Sequence, residues 1–142
     1  MTPRISLANS NPVLDEMRAV ESWLDNNLDP KLFALVKVRA SQINGCAFCL
    51  RMHSEHAFKL GENAARLLLD ARHESALYTE RERAALTWTD ALTRISETHA
   101  PDADFERVRR HFSEADSSAD RQSHGQRVER LGDRRAVATA GG

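Results

Sequence analysis

The sequence predicts an all-α fold. Apolar residues recur at three- and four-residue spacing wherever the chain shows a pattern, and no segment alternates apolar with polar residues as a half-buried strand would. Residues that start and stop helices bracket the periodic segments.

The elements follow in order. In "NPVLDEMRAVESWLDNNL", Asn11 is placed to cap and Pro12 suits a first helical turn, while Val13, Met17, Val20 and Leu24 recur at helical spacing. A second helix begins at Asp29 and Pro30 and offers Leu32, Leu35, Val36 and Ile43 to a core before the turn-forming pair Asn44 and Gly45. A third runs from near Cys46 to about Leu60, with Gly61 as its stop. A fourth is expected through "AARLLLDAR". Thr79 and Glu82 form a capping box for the next helix, "TERERAALTWTDALTRIS", whose Ala85, Trp88, Leu92 and Ile95 lie on one stripe. Trp88 is expected in the core. Pro101 then interrupts, and Phe105, Val108 and Phe112 mark a last short amphipathic helix.

The chain of 142 residues is the size of one ordinary domain. Twenty basic residues against 21 acidic ones give no electrostatic signature of a nucleic-acid or anionic-membrane partner. No apolar run is long enough to span a bilayer and the N-terminal stretch lacks the apolar segment of a secretory signal, so a cytoplasmic protein is expected. The two cysteines lie within four residues of each other, a pattern that suits a reactive thiol pair in a reducing compartment rather than a stapled secreted framework.

The chemistry concentrates in "INGCAFCLRMH". If Cys46 opens a helix, Cys49, His53 and His56 follow at offsets of three, seven and ten and share one face. Cys49 and His53 are an i, i+4 pair, which lets the imidazole act as the base that generates a thiolate. Cys46 sits in the first turn, where unpaired backbone N–H groups favour a negative sulfur. The pair can also close a disulfide, one sulfur attacking and the other resolving. Zinc is the competing reading. Ten residues of helix separate Cys46 from His56 by roughly 15 Å, so these four side chains cannot share one ion, although Cys46, Cys49 and His53 with a ligand from elsewhere could. Haem attachment needs a histidine directly after the second cysteine, where Leu50 stands. The bland alternative is two small thiols packed as hydrophobes beside a solvated histidine, and for His56 alone that reading is preferred.

At "LVKVRASQINGCAFCLRMHSEHAFKLGE", joined by "LYTERERAALTWTDALTRI", the chain resembles the AhpD-like alkylhydroperoxidases of the carboxymuconolactone decarboxylase-like superfamily over roughly residues 10 to 115. The resemblance implies a helical bundle of the AhpD-like type, usually oligomeric, and thiol peroxidase activity; no cofactor or metal is expected. It casts Cys49 as the peroxidatic thiol, Cys46 as the resolving thiol and His53 as the base, with a peroxide substrate and a dithiol reductant such as a dihydrolipoyl protein as partners. A lactone decarboxylase is a further alternative, but that branch does not rely on a Cys-x-x-Cys pair.

Two departures from the family pattern stand out. A glutamate twelve residues before the first cysteine would complete a proton relay, and this chain has Ala34 there. The second departure is the end of the chain. Residues 1–115 read as the helical domain, whereas 116–142 hold only Val128, Leu131 and Val137 as large aliphatics, no aromatic, and five arginines among four acids. That composition predicts a hydrophilic, disordered tail in place of the family's last apolar helix. Arg127 to Arg134 can be encoded so that the frame one nucleotide later reads Ala-Trp-Asn-Gly-Leu-Ala-Ile, which points to a reading-frame change. A truncated, non-catalytic family member is the corresponding alternative function. Loss of a covering helix would leave apolar surface to be shared between subunits.

Overall fold

The computed structural model describes residues 12–71 and 73–113. Among these, α1 (Pro12–Asn27), α2 (Pro30–Asn44) and α3 (Ala47–Lys59) are followed by two short 3₁₀ turns (Ala64–Leu67 and Leu69–Ala71), then α4 (Glu80–Thr93), α5 (Ile95–Thr98) and α6 (Asp102–Arg109). No described residue lies in a strand, so the all-α expectation holds. No helix is long and apolar enough to cross a membrane among the described residues.

Local chemistry sets the helix ends. The Asp29 carboxylate accepts from the backbone N–H of Lys31 at 3.1 Å and of Leu32 at 3.3 Å, and Pro30 occupies the first helical position, where its missing N–H costs nothing. At the other end of α2, Gly45 adopts φ +63°, and its N–H donates to the Gln42 carbonyl while that of Cys46 donates to the Ser41 carbonyl. Glycine enters this left-handed conformation without the clash a Cβ would bring. The Thr79 and Glu82 capping box forms as expected, each side chain accepting from the other's backbone N–H.

α2 is the central element and packs against both α3 and α4. Leu35 and Val38 are fully buried with Ala57 of α3, Leu67 and Leu69 of the 3₁₀ turns, Tyr78, and Leu86 of α4. Each fully buried leucine contributes on the order of 1.5–3 kcal/mol. A second cluster joins α4 to α6 through Trp88, Leu92 and Val108, with the Trp88 and Phe105 rings 5.6 Å apart. Trp88 is therefore core. Arg39 crosses from α2 to bind Asp90 on α4 and Asp70 in the second 3₁₀ turn, fixing three elements at one point.

The structure corrects three expectations. The fourth helix is instead two 3₁₀ turns, because Leu67 and Leu69 turn into the core while Arg66 and Asp70 reach partners elsewhere, Glu62 and Glu82 for the first and Arg39 for the second. α4 stops at Thr93, before Ile95, and a separate turn follows in which the Thr98 hydroxyl donates to the Ala91 carbonyl at 2.6 Å. On α1 the apolar stripe is not core throughout. Leu24 is buried, whereas Met17, Val20 and Trp23 are exposed, as are Phe48, Met52 and Phe58 on α3. The hydrophilic tail expected over residues 116–142 in place of a last helix lies outside the described residues, as does the capping role expected of Asn11.

Candidate active site

The dithiol stands where α2 hands over to α3. Gly45 ends one helix and Cys46 caps the next, its sulfur accepting the backbone N–H of Cys49 at 3.3 Å. A sulfur at this position faces the positive end of the α3 dipole, which stabilises a thiolate. Cys46 and Cys49 are joined as a disulfide across one helical turn, with their Cα atoms 5.3 Å apart. That separation lies well within the range a disulfide spans. Both sulfurs are consumed in this bond, so neither is a free thiolate for zinc in this state. Among the described residues no group of three or more His, Cys, Asp or Glu side chains is placed to hold a metal ion.

His53 follows Cys49 by four residues on α3 and is partly buried. Burial holds its imidazole below the ordinary value of 6.5, and the positive charges of Lys37 and His56 act in the same direction. Glu21 and Asp25 oppose this. His53 is therefore largely neutral at pH 7 and able to accept a proton. His56 is exposed on the same helix.

The position twelve residues before Cys46 holds no carboxylate. Ala34 is 2 % exposed and packs with Leu35, Val38 and Ala57 in the main apolar cluster. One turn further along α2 lies Lys37, whose side chain is only 10 % exposed. Its Nζ pairs with Glu21 and, at 3.1 Å, with Asp25, both on α1, and lies 4.1 Å from the centre of the Phe33 ring. The sequence motif did not include these three charged residues. The i, i+4 spacing of Glu21 and Asp25 on α1 and the place of Lys37 one turn after Ala34 were the signals available, and only the packing of α1 on α2 joins the three.

An open cavity of about 180 Å³ lies elsewhere, lined by Leu28, Leu32, Phe33, Val36, Ala85 and Phe112, with the Asp29–Arg81 ion pair also on its wall. None of the three motif residues lines it.

Comparison with known proteins bears on family and fold. The profile of the Carboxymuconolactone decarboxylase family matches residues 12–91, more than half of the chain. The chain belongs to this family. An uncharacterized protein of Bacillus subtilis (strain 168), YdfG, is 43 % identical over 81 residues, a match that takes in 56 % of this chain and 55 % of the relative. The chain thus matches only about half the length of that curated relative. A crystal structure of a protein of unknown function from Agrobacterium tumefaciens, proposed to be the antioxidant defence protein AhpD, superposes with a TM-score of 0.80 at 36 % identity, covering 99 % of this chain and 97 % of the other. Family membership and fold accord with the AhpD-like resemblance read from the motif, and the described part of this carboxymuconolactone decarboxylase family member carries its cysteine pair at the start of α3.

Proposed function

We propose that the protein is a thiol-dependent peroxidase that reduces a peroxide through the Cys46 and Cys49 dithiol. The observation that carries this reading is the Cys46–Cys49 disulfide on the first turn of α3, with His53 four residues after Cys49 and its imidazole pKa pushed down by burial. In the reduced enzyme, His53 takes the proton of the Cys49 thiol. The Cys49 thiolate attacks one peroxide oxygen, the O–O bond breaks, and the departing alkoxide takes a proton from the imidazolium to leave as an alcohol. Cys49 is now a sulfenic acid. The Cys46 thiol attacks it, water leaves, and the disulfide seen here is formed. An external dithiol, such as a dihydrolipoyl group, restores both thiols by exchange and is itself oxidised.

The AhpD proposal attached to the Agrobacterium structure supports the same reading. A lactone decarboxylase would not call on the dithiol, so the disulfide favours peroxide reduction over it. The exposed apolar side chains of α1 and α3 support a homo-oligomer rather than an isolated subunit. A cytoplasmic site of action follows from the need for reduced thiols at the start of each cycle.

The test is peroxide consumption by the purified protein with dihydrolipoamide, beside Cys49→Ser and Cys46→Ser. Turnover lost in both variants, with sulfenic acid trapped at Cys49 in Cys46→Ser, is expected. Peroxide consumption undiminished in Cys49→Ser would defeat the assignment, and absence of turnover in the wild type would favour the non-catalytic alternative.

A further inference from the structure

The described chain holds two exposed methionines, which differ in what stands beside them. Met17 on α1 is 40 % exposed and Met52 on α3 is 44 % exposed. We propose that Met52 is a redox-modified residue served by the dithiol itself: peroxide converts its thioether to the sulfoxide, and the reduced Cys46 and Cys49 pair takes the oxygen back. This adds a second oxidant for the same two sulfurs, and it rests on the peroxidase reading only for Cys49 as the attacking thiol.

Position on one helix carries it. Met52 follows Cys49 by three residues and Phe48 by four within α3, so the Met52 and Cys49 Cβ atoms are surface neighbours about 5–6 Å apart. Long side chains on a helix lean toward its N-terminus, over the turn before their own. The Met52 thioether therefore leans over the turn that carries the dithiol. Its exposure lets a peroxide reach it from solvent. Cys46 and Cys49 close their disulfide across that same turn, with Cα atoms 5.3 Å apart, so both reducing electrons come from one end of one helix. Met17 has no such neighbour along its helix, since α1 contains no cysteine.

The steps balance. The Met52 sulfur attacks the outer peroxide oxygen, the O–O bond breaks, and the hydroxyl proton passes to the departing oxygen, leaving a sulfoxide and an alcohol. In the return step the Cys49 thiol takes the sulfoxide oxygen. The Met52 S–O bond breaks, an S–O bond to Cys49 forms, and the thiol proton ends on that oxygen, giving a sulfenic acid and the restored thioether. The Cys46 thiol then displaces water to form the disulfide, which an external dithiol reopens. Without this return the exposed Phe48 and Met52 surface beside the dithiol would stay polar, because a sulfoxide is polar where a thioether is not.

The experiment starts from the disulfide form of the full-length protein, in which neither cysteine is a thiol. Hydrogen peroxide places sulfoxides on the methionines and is removed, and dithiothreitol then opens the disulfide. Peptide mass mapping is expected to show the Met52 sulfoxide returning to methionine at least about tenfold faster than that of Met17, an advantage of proximity. In Cys49→Ser the two should persist alike. With dithiothreitol removed before the return step, each restored Met52 should be matched by one Cys46–Cys49 disulfide. A return that halts at about half also supports the proposal, because the sulfoxide forms as two epimers and a fixed thiol can meet one of them. A Met52 sulfoxide that persists as long as that of Met17, or returns as fast in Cys49→Ser, would overturn the proposal, as would a Met52 that stays unoxidised while Met17 is converted. The sulfoxide is supplied ready made, so a protein inactive towards peroxide can still restore Met52, and an active one can fail to.

Discussion

Asp90→Ala should be among the most damaging polar substitutions in the described chain, and the reason can be worked from one side chain. Arg39 is 4 % exposed and donates through Nε and Nη2 to the two Asp90 oxygens at 2.6 and 2.9 Å, a bidentate pair. The same guanidinium donates to Asp70 at 2.5 Å and, weakly, to Gln42 at 3.4 Å. The acids differ in exposure: the Asp90 side chain is 19 % exposed and that of Asp70 is 87 %. Removing Asp90 takes the bidentate partner from a buried cation and leaves it only the exposed Asp70 carboxylate and a weak bond to Gln42, which costs about 3 kcal/mol. Removing Asp70 deletes a contact already competing with water and costs at most about 1 kcal/mol. For a folded unit of about 100 residues these translate into melting losses of about 12 °C or more and about 8 °C or less.

Urea unfolding followed by circular dichroism, in the reduced state so that the disulfide adds nothing, measures both. Arg39→Met/Asp90→Leu, which removes both charges, should recover much of the Asp90→Ala loss, since an apolar pair of similar size needs no desolvation. Equal costs for Asp70→Ala and Asp90→Ala, or a cost under about 1 kcal/mol for the latter, would refute the claim that burial of Arg39 decides the balance. Arg39 lies on the helix that ends at Gly45, so the clamp also fixes the point from which the dithiol helix departs.

Three further outcomes are expected. In the reduced protein at neutral pH, limiting alkylation should reach Cys49 before Cys46, with the preference weakened in His53→Ala, and peptide mapping that found Cys46 labelled first would reverse their roles. Gly45→Ala should lower stability by about 1 kcal/mol, because φ is +63° while nothing lies within 4 Å of the added methyl; Gly45→Asn should cost less in the same urea experiment. Burial works against the charge of Glu82, yet the Thr79 N–H and the Arg66 guanidinium more than offset it and hold the carboxyl below its ordinary 4.5. Its stabilisation is thus present above pH 4.5 and lost as pH falls through the lower folded value, and Glu82→Gln should flatten that acid limb of the stability profile.

The parts of the fold legible in the sequence are those decided within a few residues. Asp29 with Pro30, Gly45, and Thr79 with Glu82 set helix ends through bonds spanning two to four positions, and each lies where the sequence puts it. Residues 64–71 misled because their conformation is set from afar. Arg66 reaches the Leu77 carbonyl and Glu82, Asp70 reaches Arg39, and Gln42 donates to the Leu67 carbonyl at 2.8 Å. So short a segment has little helical preference of its own to set against such contacts. The end of α4 misled in the other direction. Ile95 continues the apolar stripe and still packs with Trp88 and Leu92, but it does so from the next turn of chain rather than from the same helix.

The candidate site divides along the same line. Cys46, Cys49 and His53 belong to one helix and its cap, so their spacing alone placed them on a common face. Lys37, Glu21 and Asp25 come from two other helices, and nothing in a linear motif couples residue 21 to residue 53. Their arrangement also explains how a chain with Ala34 at the relay position can hold a neutral base. A carboxylate near a histidine favours imidazolium, whereas burial and a nearby ammonium favour imidazole. With position 34 apolar and closed by Leu35, Val38 and Ala57, the first influence is confined to the acids of α1, which are already paired with Lys37. The balance then falls to burial and Lys37, and the imidazole four residues after Cys49 is left able to receive a proton.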